Sequence, residues 1–174
     1  MVVLNVILSG FGRAGRIHYK NLMSNSNFRL THIIEMYDIS SEIPEMVKYV
    51  NYNDKESIDK IFKDDKISCI IVASPTLTHY ELIMKGLENN KHIFVEKPIV
   101  EDYEQIKECF DLSEKKNLKL FVGYNRRYDP IISNIKKRIE DNEIGFVNYA
   151  LTISRDYPYP SESFLKISGG IFHD

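Results

Sequence analysis

The chain opens on an apolar run, VVLNVILS over residues 2–9, that leads directly into Gly10-Phe11-Gly12-Arg13-Ala14-Gly15. Nothing else in the sequence restricts the fold as much. A run rich in Val, Ile and Leu suits a parallel strand covered on both faces, and glycines at its end fit the place where such a strand turns into a helix. Gly10 permits the sharp turn, Gly12 lets backbone approach a pyrophosphate, and Gly15 allows the helix that begins near Arg13 to lie tight on the strand. Unpaired N–H groups at that helix start favour phosphate charge. Spaced glycines alone are weak support for a nucleotide site. Here the motif follows a predicted strand, and Glu35 ends a second one, RLTHIIE, twenty residues beyond Gly15. A carboxylate there can accept hydrogen bonds from both ribose hydroxyls of an adenosine.

The rest of the first two-thirds repeats the alternation. Residues 13–24 are predicted helical, with Ala14, Ile17 and Leu22 inward, and residues 28–36 form the second strand. Ser40-Ser41-Glu42-Ile43-Pro44 reads as a helix entrance, giving a short helix near 45–49 and a brief strand around 50–52. Asp54 caps a helix through Phe62 that faces in with Ile58, Ile61 and Phe62. A strand over 67–73 stops at Ser74-Pro75-Thr76, and a helix over 76–89 repeats Leu77, Tyr80, Met84 and Leu87 at helical spacing. A strand over 91–95, a helix over 102–116 and a strand over 119–122 complete the pattern. Strand and helix alternating this regularly define an α/β fold, a Rossmann-type doubly wound parallel sheet, ending near residue 123.

Residues 124–174 read differently, as the beginning of an incomplete α+β domain. Asp129-Pro130 supplies an N-cap and first-turn pair for a helix to about residue 142, with Ile131, Ile135 and Ile139 inward. Residues 146–154 alternate as one strand of a separate, antiparallel sheet, residues 155–163 form a loop, and Ser168-Gly169-Gly170 turns toward a helix.

Composition narrows the function class. With 174 residues, 43% hydrophobic and 28% charged at a net charge of −2, the chain has the makings of a globular core and no nucleic-acid surface. Lys136-Lys137-Arg138 reads as a solvated helix face. No run approaches membrane-spanning length, and the opening apolar run lacks a cationic lead and a cleavage site, so the cytoplasm is the expected address. Cys69 and Cys109 have no metal-like spacing and the five histidines are scattered, so no metal site is expected and both thiols read as packing residues.

In an open parallel sheet, ligands bind beyond the carboxyl ends of the strands. That edge collects residues 10–15, Glu35, Ala73-Ser74-Pro75-Thr76, Glu96-Lys97-Pro98 and Gly123-Tyr124-Asn125-Arg126. Lys97 carries the most chemistry, because an ammonium in a partly desolvated cleft beside a nicotinamide could hold a hydroxyl and exchange its proton. A surface lysine paired with Glu96 is the other reading of the same residues. His18 and His79 read equally as helix residues near the sheet edge or as cofactor contacts, and Arg126 and Arg127 as solvated turn residues or substrate contacts. His32 and His92 read as structural.

The set GFGRAG, ASPTLTH, VEKP, GYNRRYDP and SGGIFHD, in this order and spacing, resembles the Gfo/Idh/MocA family of NAD(P)-dependent oxidoreductases, especially its inositol-dehydrogenase-like branch. The resemblance runs over nearly the whole chain. It implies that Gly10, Phe11, Gly12, Arg13, Ala14 and Gly15 form the pyrophosphate turn and that Glu35 is the ribose acid. It further implies that Ser74, Pro75, Thr76 and His79 pass beside the cofactor and that Glu96 lines the nicotinamide pocket. By the same likeness Lys97 is the catalytic and substrate-contacting lysine, Asn125, Arg126 and Arg127 form the hinge, and Asp174 is the acid of the substrate site. Glu35 repels a 2′-phosphate and Met36-Tyr37 supplies no arginine for one, so NAD is expected over NADP.

Family members add a helix bearing a histidine one turn after the residue matching Asp174, then most strands of the substrate domain. That histidine would be the proton-transfer partner of Lys97, and His173, adjacent to Asp174, would point elsewhere on a helix. Two functions are therefore expected. One is an oxidoreductase acting on a polyol, sugar or related secondary alcohol, its missing half supplied by a longer product, a second polypeptide or a neighbouring copy in a homo-oligomer. The other is a truncated, noncatalytic NAD-binding module that senses the dinucleotide or assembles with partners.

Overall fold

Each apolar run of the first two-thirds enters one sheet. The computed structural model describes residues 2–155 together with Tyr157, Tyr159 and Glu162. Strands β1 (Leu4–Ser9), β2 (Phe28–Glu35), β3 (Lys48–Asn51), β4 (Ile67–Val72), β5 (His92–Val95) and β6 (Leu120–Val122) lie parallel in the order β3-β2-β1-β4-β5-β6. Helices α1 (Arg13–Ser24), α2 (Lys55–Phe62), α3 (His79–Glu88), α4 (Tyr103–Lys115) and α5 (Pro130–Glu140) alternate with them or follow. The order reverses between β1 and β4, which opens a crevice at the carboxyl ends of those two strands. By its internal contacts the chain divides into a unit over Met1–Gly123 and a second that begins at Tyr124.

Side-chain alternation along the strands separates two cores. Ile7, Ile34, Ile70, Val72, Ile93 and Val95 meet α2, α3 and α4 through Ile58, Phe62, Leu82, Ile83, Leu87 and Cys109. On the opposite face, Val6, Leu8, Leu30 and Ile33 meet Leu22 of α1 together with Phe11, Ile39 and Val47. Asp54 caps α2 as expected, its carboxylate accepting from the Ser57 N–H at 3.0 Å. Phe62 is fully buried at the far end of that helix. Phe62→Ala is therefore expected to cost about 3–5 kcal/mol in a denaturant melt, through lost burial and the cavity left behind.

Several sequence expectations are corrected by tertiary contacts. The short helix near 45–49 does not form. A 3-10 turn spans Ser40–Glu42, and β3 begins at Lys48, because Lys48 to Asn51 pair in register with His32 to Glu35 and satisfy their backbone on the sheet. The helix expected from 76 starts at His79 instead. A separate 3-10 turn, Thr76–Thr78, precedes it, held by the Ser74 and Thr78 hydroxyls at 2.7 Å and by Thr78 Oγ1 donating to Pro75 O. Leu77 lies on that turn and is 86% exposed, so Leu82, Ile83 and Leu87 form the buried stripe. Ile17 and Tyr103 are also exposed, and Gly15 with Leu22 and Cys109 with Ser113 hold the buried faces of α1 and α4.

In the second unit, Asp129 Oδ1 accepts from the N–H groups of Ile131 and Ile132 and Pro130 opens α5. Ile131, Ile135 and Ile139, expected to face inward, are exposed. Residues 146–154 form no strand. A strand exists through its ladder, and no described segment pairs with this one. The expected Gly169-Gly170 turn, His173 and Asp174 lie outside the described residues.

Candidate dinucleotide site

Four hydrogen bonds, each donated one residue past a strand, link the carboxyl ends of five neighbouring strands. Gly10 N–H donates to Ile34 O (2.8 Å), Ala73 N–H to Ser9 O (2.7 Å), Glu96 N–H to Val72 O (2.8 Å) and Gly123 N–H to Val95 O (2.8 Å). These bonds bring the glycine turn, Glu35, the Ser74-Pro75-Thr76 turn, Glu96-Lys97 and Gly123 to one sheet edge.

The three glycines differ in what holds them. Gly10 has φ +92°, and a Cβ there would fall 2.5 Å from Ala73 C, Ala73 O and Ser74 N. A Cβ on Gly15 would fall 2.0 Å from Gly10 O, so the helix could not lie on the turn. Gly12 has no neighbouring atom within 4 Å of such a Cβ. Its backbone is open on that side. Gly12 is also the N-cap of α1, no side chain caps the helix, and no acidic residue occupies its first turn. The N–H groups of Arg13, Ala14 and Gly15 are thus left for an anion, which is the condition a pyrophosphate requires.

Phe11 serves structure on both counts. Its ring is buried against Tyr19, edge to face at 5.3 Å, with the Arg16 guanidinium 4.4 Å from its centroid. Its N–H donates to Glu35 Oε2 at 2.6 Å, while Glu35 Oε1 accepts from Met36 N–H at 2.7 Å. Two backbone donors fix the carboxylate at the end of β2 and leave further lone-pair positions for ribose hydroxyls. Arg16 is paired with Glu42 at 2.7 Å, which draws its charge toward the Ser40–Glu42 turn.

Glu96 and the histidines show what sequence reading missed. Glu96 Oε1 accepts from His18 Nε2 at 2.6 Å, which joins the carboxylate before Lys97 to α1 as well. That bond holds the Glu96 pKa below the ordinary glutamate range, against the opposing effect of burial. Its contribution to stability is present above that range and is lost as pH falls through the depressed folded value. Wild type and Glu96→Gln should accordingly differ in urea stability at neutral pH and converge in acid, as paired denaturation curves would reveal.

His79 is 1% exposed. Nε2 lies 2.8 Å from Ser74 O, and Nδ1 lies 3.0 Å from Pro98 O and 3.1 Å from Ile99 O. The ring therefore ties the turn after β4 to the loop after β5. The i+3 spacing of His18 after Gly15 was the one sequence signal for its role. For His79 the ASPTLTH motif marks the residue but not its partners, which are backbone atoms.

Lys97 is exposed immediately after Glu96. Ser74 and Thr76 are half-buried beside the switch point, with Pro75 exposed. Asn125 and Arg126 stand in a 3-10 turn, Asn125–Tyr128, at the start of the second unit. His32 touches Thr31, and His92 accepts the Lys119 N–H at the entrance of β6, both structural positions. Burial raises the thiols of Cys69 and Cys109 to about 11, which keeps them protonated and inert. Among the described residues no group of His, Cys, Asp or Glu could hold a metal ion, and no helix is long and apolar enough to cross a membrane.

A six-stranded parallel sheet with a bare glycine turn at its switch point and an acid closing β2 defines a Rossmann dinucleotide-binding domain. The chain belongs to the GFO_IDH_MocA family, described as an oxidoreductase family with an NAD-binding Rossmann fold, which it matches over residues 4–124. It is 34% identical over 167 residues to the inositol 2-dehydrogenase of Rhizobium meliloti (strain 1021), covering 96% of this chain and 50% of the relative. It is 35% identical over 167 residues to the scyllo-inositol 2-dehydrogenase (NAD(+)) of Bacillus subtilis (strain 168), covering 95% and 48%. The crystal structure of a probable dehydrogenase from Thermotoga maritima agrees at a TM-score of 0.82 and 26% identity, over 98% of this chain and 51% of that one. The chain thus spans about half the length of the curated relatives it matches.

Proposed function

We propose that this chain forms the cofactor-binding half of an NAD-dependent oxidoreductase whose substrate is an inositol or a related polyol or sugar bearing a secondary alcohol. The observation that carries the reading is the position of Lys97, directly after β5 on the sheet edge where the glycine turn follows β1. Inositol dehydrogenases among the relatives support the substrate class. When bound, the nicotinamide would accept hydride from the carbinol carbon.

The first turn of α1 would hold the pyrophosphate on its N–H groups, and Glu35 would receive the ribose hydroxyls. Lys97, as the neutral amine, would hold the substrate hydroxyl and take up its proton as the carbonyl forms. Asn125, Arg126 and Asp174 would contact substrate, as the resemblance implies. The relatives are about twice as long, and we assign the remaining substrate groups to a longer product, a second polypeptide or a neighbouring copy.

Titrating NADH fluorescence, then following NAD reduction across a panel of inositols and sugars, tests this directly. Failure to bind NADH sinks the reading. Binding without turnover on any substrate leaves the noncatalytic module. The cofactor preference has its own test: Glu35→Ser removes the charge that opposes a 2′-phosphate and should raise NADPH affinity relative to NADH by about tenfold or more. An unchanged ratio would remove Glu35 from the discrimination.

A further inference from the structure

We propose that His18 is a positioning residue for Lys97, coupling the pyrophosphate-binding end of α1 to the Glu96-Lys97-Pro98 loop. The inference rests on the functional reading above and concerns how the two parts of that site communicate.

His18 stands one helical turn beyond Gly15, on the helix whose first N–H groups face the phosphate position. Its Nε2 donates to Glu96 Oε1 at 2.6 Å. The other oxygen of the same carboxylate, Oε2, accepts the N–H of Lys97 itself at 3.3 Å. One carboxylate thus receives α1 on one side and the peptide that carries Lys97 on the other. The two side chains are only 18% and 25% exposed, so the bond is shielded from solvent competition.

Packing prevents this carboxylate from drifting. The His18 ring meets Phe94 of β5 edge to face at 5.0 Å, and Glu96 follows two residues later, just past the strand. Behind them Gly123 leaves the necessary room, since a Cβ there would fall 3.2 Å from Glu96 Oε2 and 3.3 Å from Phe94 Cζ. His79 holds the far side of the loop through Pro98 O and Ile99 O. The loop is therefore fixed on one side to α3 and on the other to the helix that would move or stiffen when a dinucleotide seats. A surface ion pair between distant elements would have no such reach, and this one ends on the residue next to Lys97.

Hydrogen exchange read by peptide mass spectrometry, on the whole chain with and without NADH, separates the possibilities. In the wild type, NADH should slow exchange both at residues 10–16 and at the amides of Glu96, Lys97 and Ile99 within residues 96–99, the latter by about tenfold, a usual size for site-to-site coupling. His18→Ala should keep the protection at 10–16 and lose that at 96–99. His18→Gln, which retains an N–H donor toward Glu96, should restore it. In a Glu96→Ala background, His18→Ala should add nothing further. Equal protection of residues 96–99 in wild type and His18→Ala, or a failure of Gln to rescue, would overturn the coupling while leaving NAD binding intact. Absence of NADH protection at residues 10–16 in the wild type would overturn the functional reading, and this inference with it.

Discussion

Lys97→Ala is expected to lower NAD reduction with an inositol substrate by about 10²–10⁴-fold while leaving NADH binding nearly unchanged, the range typical of a lost proton-transfer group. The two quantities separate because Lys97 follows β5, whereas the proposed phosphate position lies at α1 and the turn after β1. Lys97→Arg should fail almost as badly. A guanidinium stays protonated near neutral pH and so has no lone pair to accept the hydroxyl proton, although it can still hold the substrate oxygen. Initial rates and fluorescence titrations on the three proteins decide the matter. If Lys97→Arg turned over like the wild type, Lys97 would be an electrostatic anchor only.

The second large effect concerns the glycines, and it divides folding from binding. Gly10→Ala places a methyl 2.5 Å from three backbone atoms of Ala73 and Ser74, at a φ of +92° that an L side chain adopts only with strain. Backbone cannot retreat as a side-chain tip can, so the cost is about 2–5 kcal/mol and the melting temperature should fall by roughly 10 °C or more. Gly12→Ala meets nothing within 4 Å. It should melt close to the wild type, yet bind NADH at least about tenfold more weakly, because the new methyl stands where a pyrophosphate must come close. Thermal melts and NADH titrations on both variants provide the check. Equal NADH affinity in Gly12→Ala would place the phosphate elsewhere.

Much of the fold could be read from local pattern. The apolar runs that became β1, β2, β4 and β5, the Asp54 cap of α2 and the Asp129-Pro130 opening of α5 depend on neighbours within a few residues, and such signals survive in one dimension. Errors arose where a distant partner outweighed the local preference. Residues 48–51 took the strand form because β2 offered a ladder, and residues 146–154 did not because no described segment offered one. The facing of α1, α3 and α4 was misread at Ile17, Leu77 and Tyr103, since periodicity gives a stripe but the sheet chooses which stripe is covered.

The candidate site divides in the same way. Sequence alone determined the glycine turn, the acid closing the second strand and the lysine after the fifth, because each is a short motif at a strand end and the sheet topology brings strand ends together. Only the tertiary structure decided the partners: Glu35 with the N–H groups of Phe11 and Met36, His18 with Glu96 across 78 residues, and buried His79 with three carbonyl oxygens. A hydrogen bond acts over about 3 Å in space and carries no imprint of the chain length between its ends, so pairings of this kind appear only when the chain has folded.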